Sequence, residues 1–211
     1  MRQWICRRFP GFVRRLNAVR LPEMVKRVET ALRPGDRVLD VGAGTCLFVE
    51  LLRARGFDVT PLDVVDCSAV PAIVPLLYDG RKIPAADDAY DVALIAFVLH
   101  HTPDPDAVLR EAARVARRLI VMEDLLDGRL HGAFTKIWDS VLNLEFFGHP
   151  HSNRSDEGWR STFAALGLAV EKTDRYRSMG FRHGVYYLCR LSKSPDDFGA
   201  GVRAPGPAKY D

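Results

Sequence analysis

The residues best suited to chemistry lie in one short stretch, where an apolar run ends in an acid and two glycines. The run Arg37–Val41 contains Asp40, and Gly42 and Gly44 follow at alternate positions before Cys46. Glycine is favoured here because a sharp turn needs unusual backbone angles, and because a backbone without Cβ lets a ligand approach closely. The pattern therefore predicts a nucleotide-like ligand at a tight turn between a strand and a helix.

Two ligand classes use such a turn, and the spacing separates them. A dinucleotide fingerprint, G-x-G-x-x-G, needs glycine or alanine where this chain has Leu47. The segment from Asp40 to Cys46 instead resembles motif I of the class I S-adenosylmethionine (SAM) methyltransferases, D/E-x-G-x-G-x-G, with cysteine at the third glycine. The span from about Pro34 to Leu191 is similar to the methyltransferase type 11 group. The resemblance implies SAM as cofactor, S-adenosylhomocysteine as product and a small-molecule or lipid-like acceptor.

Two further acids follow at places where the resemblance implies cofactor contacts. Asp63 comes 21 residues after Gly42, at the end of the second strand, where a carboxylate can accept hydrogen bonds from both ribose hydroxyls. Asp79 matches the position beside the adenine, and an ordinary turn acid before glycine is the alternative interpretation. The cofactor contacts implied in this way are Asp40, Gly42, Ala43, Gly44, Cys46, Asp63, Val64, Asp79, Gly80, Ala96 and Phe97.

A pair of histidines, His100 and His101, follows the fourth strand and provides the candidate catalytic residues. Methyl transfer from a sulfonium is an in-line displacement, so the protein must mainly align two atoms and exclude water. A base is needed only where the nucleophile carries a proton of high pKa, and a histidine can accept that proton. Packing or hydrogen bonding at the sheet end is the alternative role for both side chains.

An insert over residues 128–159 is predicted to cover the acceptor, because relatives build their substrate cover after the fifth strand. Its apolar side chains favour a pocket, and filling of the core is the alternative. The candidate acceptor contacts are Trp138, Phe147, His149, His151 and Asn153, with Arg154 and Trp159 explained equally well by a helix entry. The H-x-H spacing supplies only two local ligands, so no metal site is predicted.

These residues require a fold that brings strand ends together, and the elements fit a doubly wound, Rossmann-like α/β fold. We expect a seven-stranded, mostly parallel sheet of order 3-2-1-4-5-7-6 with helices on both faces and the last strand antiparallel, the topology beyond strand five being implied by the resemblance. Strands are predicted at 37–41, 57–63, 74–78, 90–97, 119–122, 168–174 and 184–191, and helices at 3–18 (broken near Pro10), 21–32, 45–55, 106–117 and from Ser155 or Asp156 to 166.

Length and composition favour one domain. The chain has 211 residues, of which 47% are hydrophobic, enough for one core. We expect an N-terminal helical cap at 1–33, the methyltransferase domain at 34–194 and a disordered tail at 195–211.

Cysteine spacing, apolar runs and charge narrow the class of protein further. The four cysteines show no C-x-x-C spacing, which favours reduced thiols in a cytoplasm. The sequence contains no run of about 18 apolar residues, so no membrane-spanning helix is predicted. A net charge of +3 is too small to indicate nucleic acid, and oligomeric state is not predicted.

The N-terminal stretch is the basic part of the chain. Residues 1–27 contain eight arginines and lysines against one acid, Glu23. Apolar residues at helical spacing between the arginines predict a basic amphipathic helix. Three interpretations follow, in order of preference: a cap on the cofactor pocket, peripheral contact of residues 1–18 with an anionic membrane, and a transit peptide.

Two other functions remain open. A catalytically silent, SAM-binding partner protein is compatible with Cys46 at a glycine position and with the absence of an unambiguous base in the sequence. An oxidoreductase that binds NAD(P) is the third interpretation, and Leu47 disfavours it.

Overall fold

The computed structural model describes residues 2–125, 154–178 and 182–191, which include a seven-stranded sheet of order β3-β2-β1-β4-β5-β7-β6. The strands are β1 (Arg37–Val41), β2 (Asp58–Asp63), β3 (Leu76–Leu77), β4 (Tyr90–Ala96), β5 (Ala116–Asp124), β6 (Leu168–Ser178) and β7 (Arg182–Leu191). The pairs among β1 to β5 are parallel, and β7 runs antiparallel to both β5 and β6. The predicted fold class, strand order and antiparallel last strand are confirmed.

Helices cover both faces of this sheet. They are α1 (Arg2–Arg8), α2 (Pro10–Asn17), α3 (Arg20–Glu29), α4 (Leu47–Arg53), α5 (Pro105–Val115) and α6 (Asp156–Ala165), with a 3-10 turn at Leu99–His101. Adjacent residues of β4 belong to different apolar clusters, since Leu94 packs with α3 and α4 whereas Ile95 packs with α5 and α6. Both side chains are fully buried, which explains why this central strand reads as a continuous apolar run.

Local backbone chemistry sets several boundaries differently from the sequence pattern. The helix predicted at 45–55 begins only at Leu47, because Cys46 has a φ of 57° and a left-handed residue cannot continue a right-handed helix. The predicted break near Pro10 is present and divides the N-terminal segment into α1 and α2. Trp159 and Phe163 of α6 are both 0% exposed with stacked rings, so the helix-entry interpretation of Trp159 agrees with a side chain in the core.

The N-terminal helices are fastened to the sheet domain by both packing and charge. Cys6 and Val13 are fully buried in the cluster that contains α3 and α4. Arg7 donates to Asp66 at 2.7 Å, and Arg14 donates two hydrogen bonds to Glu50 at 2.5 and 2.8 Å. No helix in the described part of the chain is both long and apolar enough to span a bilayer.

Candidate active site

A cleft of about 730 Å³ lies at the carboxyl ends of β1, β2 and β4, where the strand order reverses. Its volume is in the range of small-molecule sites, and its position is the usual ligand crevice of doubly wound sheets. Of the predicted cofactor contacts, its walls contain Asp40, Gly42, Ala43, Gly44, Asp63, Val64, Asp79, Gly80, Ala96 and Phe97. The fold thus brings ten of eleven predicted residues together, and their contact with a cofactor stays a prediction.

The glycine turn is held tightly against the end of β2 and the segment after β4. Gly42 has a φ of 77°, and a Cβ built on it would lie 2.4 Å from Cγ2 of Val98. The amides of Gly42 and Ala43 both donate to the carbonyl of Leu62, at 2.8 and 3.0 Å. Glycine is therefore required at position 42 by backbone angle and by close packing within the protein, in addition to any approach of a ligand.

Cys46 is the predicted contact that does not reach the cleft. Its side chain is 0% exposed and lies in the apolar cluster behind the turn. Burial raises the pKa of the Cys46 thiol to about 12, which keeps it neutral. Its amide donates to the carbonyl of Ala43 at 2.9 Å, so Cys46 shapes the turn through its backbone. The side chain of Cys46 does not line the cleft, and its predicted contact with a cofactor stays a prediction.

Asp63 links the end of β2 to the glycine turn. It is 7% exposed, its Oδ2 accepts a hydrogen bond from the amide of Gly44 at 2.7 Å, and its Oδ1 accepts one from the amide of Val65 at 3.2 Å. An ionised carboxylate has about four acceptor sites, so capacity remains for ligand hydroxyls. The same side chain can therefore order the turn and bind a ribose.

Asp40 lies on the same wall and is 3% exposed. Burial, assisted by the negative charge of Asp63, raises the pKa of Asp40 to about 7. A buried carboxylate beside a second one is stabilised in its ionised form by a cation. This wall is therefore suited to a ligand that carries a positive group next to hydroxyls.

Arg20, at the start of α3, brings a positive charge to the cleft and was not predicted as a site residue. It is 7% exposed, and its guanidinium carbon lies 4.0 Å from the ring centroid of Phe97. Phe97 itself has a φ of 60°, and its amide donates to the carbonyl of Met122 at 2.8 Å. The sequence held no signal for this role, because Arg20 is one of eight basic residues in the N-terminal stretch and only the packing of α3 turns it inward.

Asp79 forms a turn and also lies on the wall of the cleft. Its Oδ1 accepts hydrogen bonds from the amides of Arg81 at 2.9 Å and Lys82 at 3.1 Å, and these bonds hold the pKa of Asp79 below its usual value. It therefore forms the turn expected of an acid before Gly80, and it also lines the cleft. From the neighbouring helix α5, Glu111 accepts a hydrogen bond from the amide of Ile83 at 2.9 Å, which anchors this loop.

The two histidines point in different directions. His101 lines the cleft, whereas His100 is 2% exposed and its Nδ1 lies 2.5 Å from Oε2 of Glu123. The other oxygen of Glu123 accepts hydrogen bonds from the amides of Val98 at 3.1 Å and Leu99 at 2.8 Å. Of the two predicted catalytic residues, His101 lies on the cleft wall and His100 is buried against Glu123, and a catalytic role for either stays a prediction. The sequence did not identify Glu123, because the amides that it binds lie 25 and 24 residues earlier in the chain and only the fold brings them together.

The predicted acceptor contacts Trp138, Phe147, His149, His151 and Asn153 lie outside the described residues. Arg154, the first described residue after them, pairs with Asp106 at 2.8 Å and lies 5.1 Å from the ring of Trp159, so it anchors the start of α6. Within residues 2–125, 154–178 and 182–191 no group of three or more side chains could hold a metal ion.

Comparison with known proteins identifies the family. A family model described as a methyltransferase domain matches residues 12–173. The chain belongs to this methyltransferase family. Demethylmenaquinone methyltransferase of Mycolicibacterium paratuberculosis (strain ATCC BAA-968 / K-10) is 35% identical over 104 residues, which cover 46% of this chain and 45% of that protein. The chain thus spans about half the length of the curated relatives it matches.

Solved structures share the fold of this methyltransferase domain. A SAM-dependent methyltransferase from Aquifex aeolicus has a TM-score of 0.58 at 21% identity, covering 85% of this chain and 97% of that one. Magnesium protoporphyrin IX methyltransferase from Synechocystis PCC 6803, with bound S-adenosylhomocysteine, has a TM-score of 0.58 at 19% identity, covering 86% of this chain and 84% of that one. At these identities the likeness concerns the fold alone.

Proposed function

We propose that the protein transfers a methyl group from SAM to a small-molecule or lipid-like acceptor. The observation that carries the proposal is the charge arrangement of the cleft, where Asp40 and Asp63 lie beside the glycine turn and Arg20 contributes a buried guanidinium. SAM has a ribose, an ammonium group and a carboxylate, and each of these groups has a complementary side chain in the cleft. Membership of the methyltransferase family supports the same assignment.

Each binding role follows from the chemistry of the side chain concerned. Asp63 accepts hydrogen bonds from the ribose hydroxyls, and Asp40 in its ionised form binds the ammonium group. Arg20 binds the carboxylate through a charge-assisted hydrogen bond. The segment Asp79–Gly80 holds the adenine region. These contacts orient the ligand so that its methyl group, which is activated by a positively charged sulfur, faces the acceptor.

The chain's part in the chemical step is alignment, with one candidate base. Among the described residues, His101 is the histidine that lines the cleft. It accepts the proton of a hydroxyl, amine or acidic carbon where the acceptor carries one. His100 and Glu123 act indirectly, because Glu123 fixes the amides of Val98 and Leu99 in the turn that carries His101. An acceptor that needs no deprotonation makes His101 dispensable.

An apolar acceptor is the class we favour. Leu21, Met24, Phe97 and Val98 line the cleft and provide apolar surface on the described side. The curated relatives named above are demethylmenaquinone methyltransferases, which makes demethylmenaquinone the first acceptor to test. The predicted covering residues, among them Trp138 and Phe147, belong to the same proposal.

Asp63 provides the most direct test. Asp63→Ala should weaken SAM binding about 10- to 150-fold, since hydrogen bonds to a charged group contribute roughly 1.5–3 kcal/mol. Asp58→Ala is the matched control, because Asp58 is exposed at the opposite end of the same strand. Titration calorimetry measures both affinities. Equal affinity for SAM in wild type and Asp63→Ala would contradict the assignment.

A second measurement separates an enzyme from a silent binding protein. Wild-type protein is incubated with SAM and an acceptor panel that includes demethylmenaquinone, and S-adenosylhomocysteine is quantified by mass spectrometry. Acceptor-dependent product supports the enzyme, while tight SAM binding without product on any acceptor favours the silent partner. Binding of NADH in place of SAM would favour the oxidoreductase.

A further inference from the structure

The N-terminal helices expose an unusual number of large apolar side chains. Trp4 is 62% exposed, Phe9 46%, Phe12 54% and Val19 63%. The rings of Trp4 and Phe9 meet edge to face with centroids 5.5 Å apart, so they form one aromatic surface across the junction of α1 and α2. Clustered exposed aromatics of this kind mark an interaction site, whereas singly scattered ones do not.

Arginines accompany these aromatics, and they divide into two sets. Arg7 and Arg14 point to the sheet domain and pair with Asp66 and Glu50. Arg8 and Arg15 are exposed at helical spacing between Trp4, Phe12 and Val19. Among the described residues no carboxylate forms an ion pair with Arg8 or Arg15. The outward surface is thus aromatic and cationic.

The inward side of the same helices reaches the active site. Asn17 at the end of α2 is buried and lines the cleft, together with Arg20, Leu21 and Met24 of α3. Helix α2 therefore carries part of the outward surface and also places Asn17 in the cleft wall, which α3 continues.

We infer that the outward surface of α1 and α2 docks the protein on an anionic phospholipid bilayer. Trp4, Phe9 and Phe12 enter the headgroup region, and Arg8 and Arg15 bind lipid phosphates. Charge complementarity selects this occupant, because Glu23 is the only acid within residues 1–27 and two copies of so basic a surface repel each other. Docking does not depend on the proposed function. The further step, in which an acceptor enters the cleft from the bilayer beside α2 and α3, rests on that function.

Vesicle co-sedimentation of the full chain tests the inference. We expect the protein to sediment with phosphatidylcholine vesicles that contain phosphatidylglycerol, to remain in solution with phosphatidylcholine alone, and to be released by high salt. Arg15→Glu should lower the partition coefficient at least about fivefold, the effect of removing one basic residue from an anionic surface. Phe12→Ser should also lower it, by loss of apolar contact.

Arg33→Glu is the matched control, since Arg33 is exposed on the loop between α3 and β1 and its reversal changes net charge equally. The inference is overturned if Arg33→Glu lowers the partition coefficient as much as Arg15→Glu does. It is also overturned if folded wild type does not sediment with anionic vesicles at low salt. A wild-type dimer in analytical ultracentrifugation that Phe12→Ser dissociates overturns it as well. The SAM affinity of Arg15→Glu should equal that of wild type. If neither protein binds SAM while wild type still sediments with anionic vesicles, the docking inference stands and the proposed function alone is refuted.

Discussion

At the scale of single residues, Asp40 links ligand binding to pH. Its pKa of about 7 in the free protein means that a cation must bind the ionised form and displace a proton. SAM affinity should therefore fall as pH is lowered below about 7, approaching tenfold per pH unit. Calorimetry across this range measures the slope.

Asp40→Asn is the control for that slope, and it also tests the sign of the stability effect. Folding raises the pKa of Asp40 from 3.8 to about 7, so ionisation of this carboxyl lowers the free energy of unfolding. The loss is absent below pH 3.8, where the group is protonated in both states, and it is complete above about pH 7. Without SAM, Asp40→Asn should therefore have a higher free energy of unfolding than wild type at pH 8. The difference between the two proteins should be smaller at pH 4, as measured by denaturant unfolding. A wild-type pH slope retained in the variant would show that another group titrates.

Cys46 allows a prediction about backbone strain at the glycine turn. Because its φ is 57°, Cys46→Gly should be more stable than Cys46→Ala by about 1 kcal/mol, the cost of a left-handed conformation for a residue with Cβ. The Gly variant also loses the buried Cβ, so the measured difference is a lower bound on the backbone strain. Chemical unfolding of both measures it, and Cys46→Ala equal to or above Cys46→Gly would contradict the strain argument.

At the scale of elements, the turn after β4 depends on one buried carboxylate from β5. Glu123→Ala should destabilise the protein by about 3–5 kcal/mol, since it removes the buried carboxylate that accepts from two amides and pairs with His100. Glu123→Gln should cost less, because the amide oxygen still accepts from Val98 and Leu99. SAM affinity should follow the same order, because Val98 and His101 line the cleft. Thermal unfolding and calorimetry check both, and an unperturbed Glu123→Ala would exclude this role.

At the scale of the whole molecule, the cleft is assembled from segments distant in sequence. Deletion of residues 2–18 removes Asn17 from the wall and uncovers the surface beneath Cys6 and Val13. We expect weaker SAM binding and a lower melting temperature, by roughly 2–4 °C for each kcal/mol lost. Arg14→Ala is the control, because it breaks only a partly exposed ion pair, expected to contribute about 0–1 kcal/mol. Unchanged SAM affinity in the folded deletion variant would refute the cap prediction.

Periodicity and motif spacing determined the scaffold of this protein up to the fifth strand, and the family resemblance implied the topology beyond it. Strand β1 runs from Arg37 to Val41, as the apolar run predicts, because a strand covered on both faces must be apolar along its length. The glycine turn was found from its glycine spacing, and Asp63 from the resemblance together with its place at the end of the second predicted strand. These features depend on local order in the chain, which the sequence contains.

Only the tertiary structure decided which side chains face the cleft. His100 and His101 are neighbours, yet one is buried against Glu123 and the other lines the cleft, because a 3-10 turn directs successive side chains to different sides. Cys46 lies behind its turn and Arg20 is turned inward, and both orientations follow from contacts with elements far along the chain. Such long-range packing leaves no periodic pattern in the sequence. The sequence therefore identified candidate residues by type, and only the structure showed the orientation of these side chains.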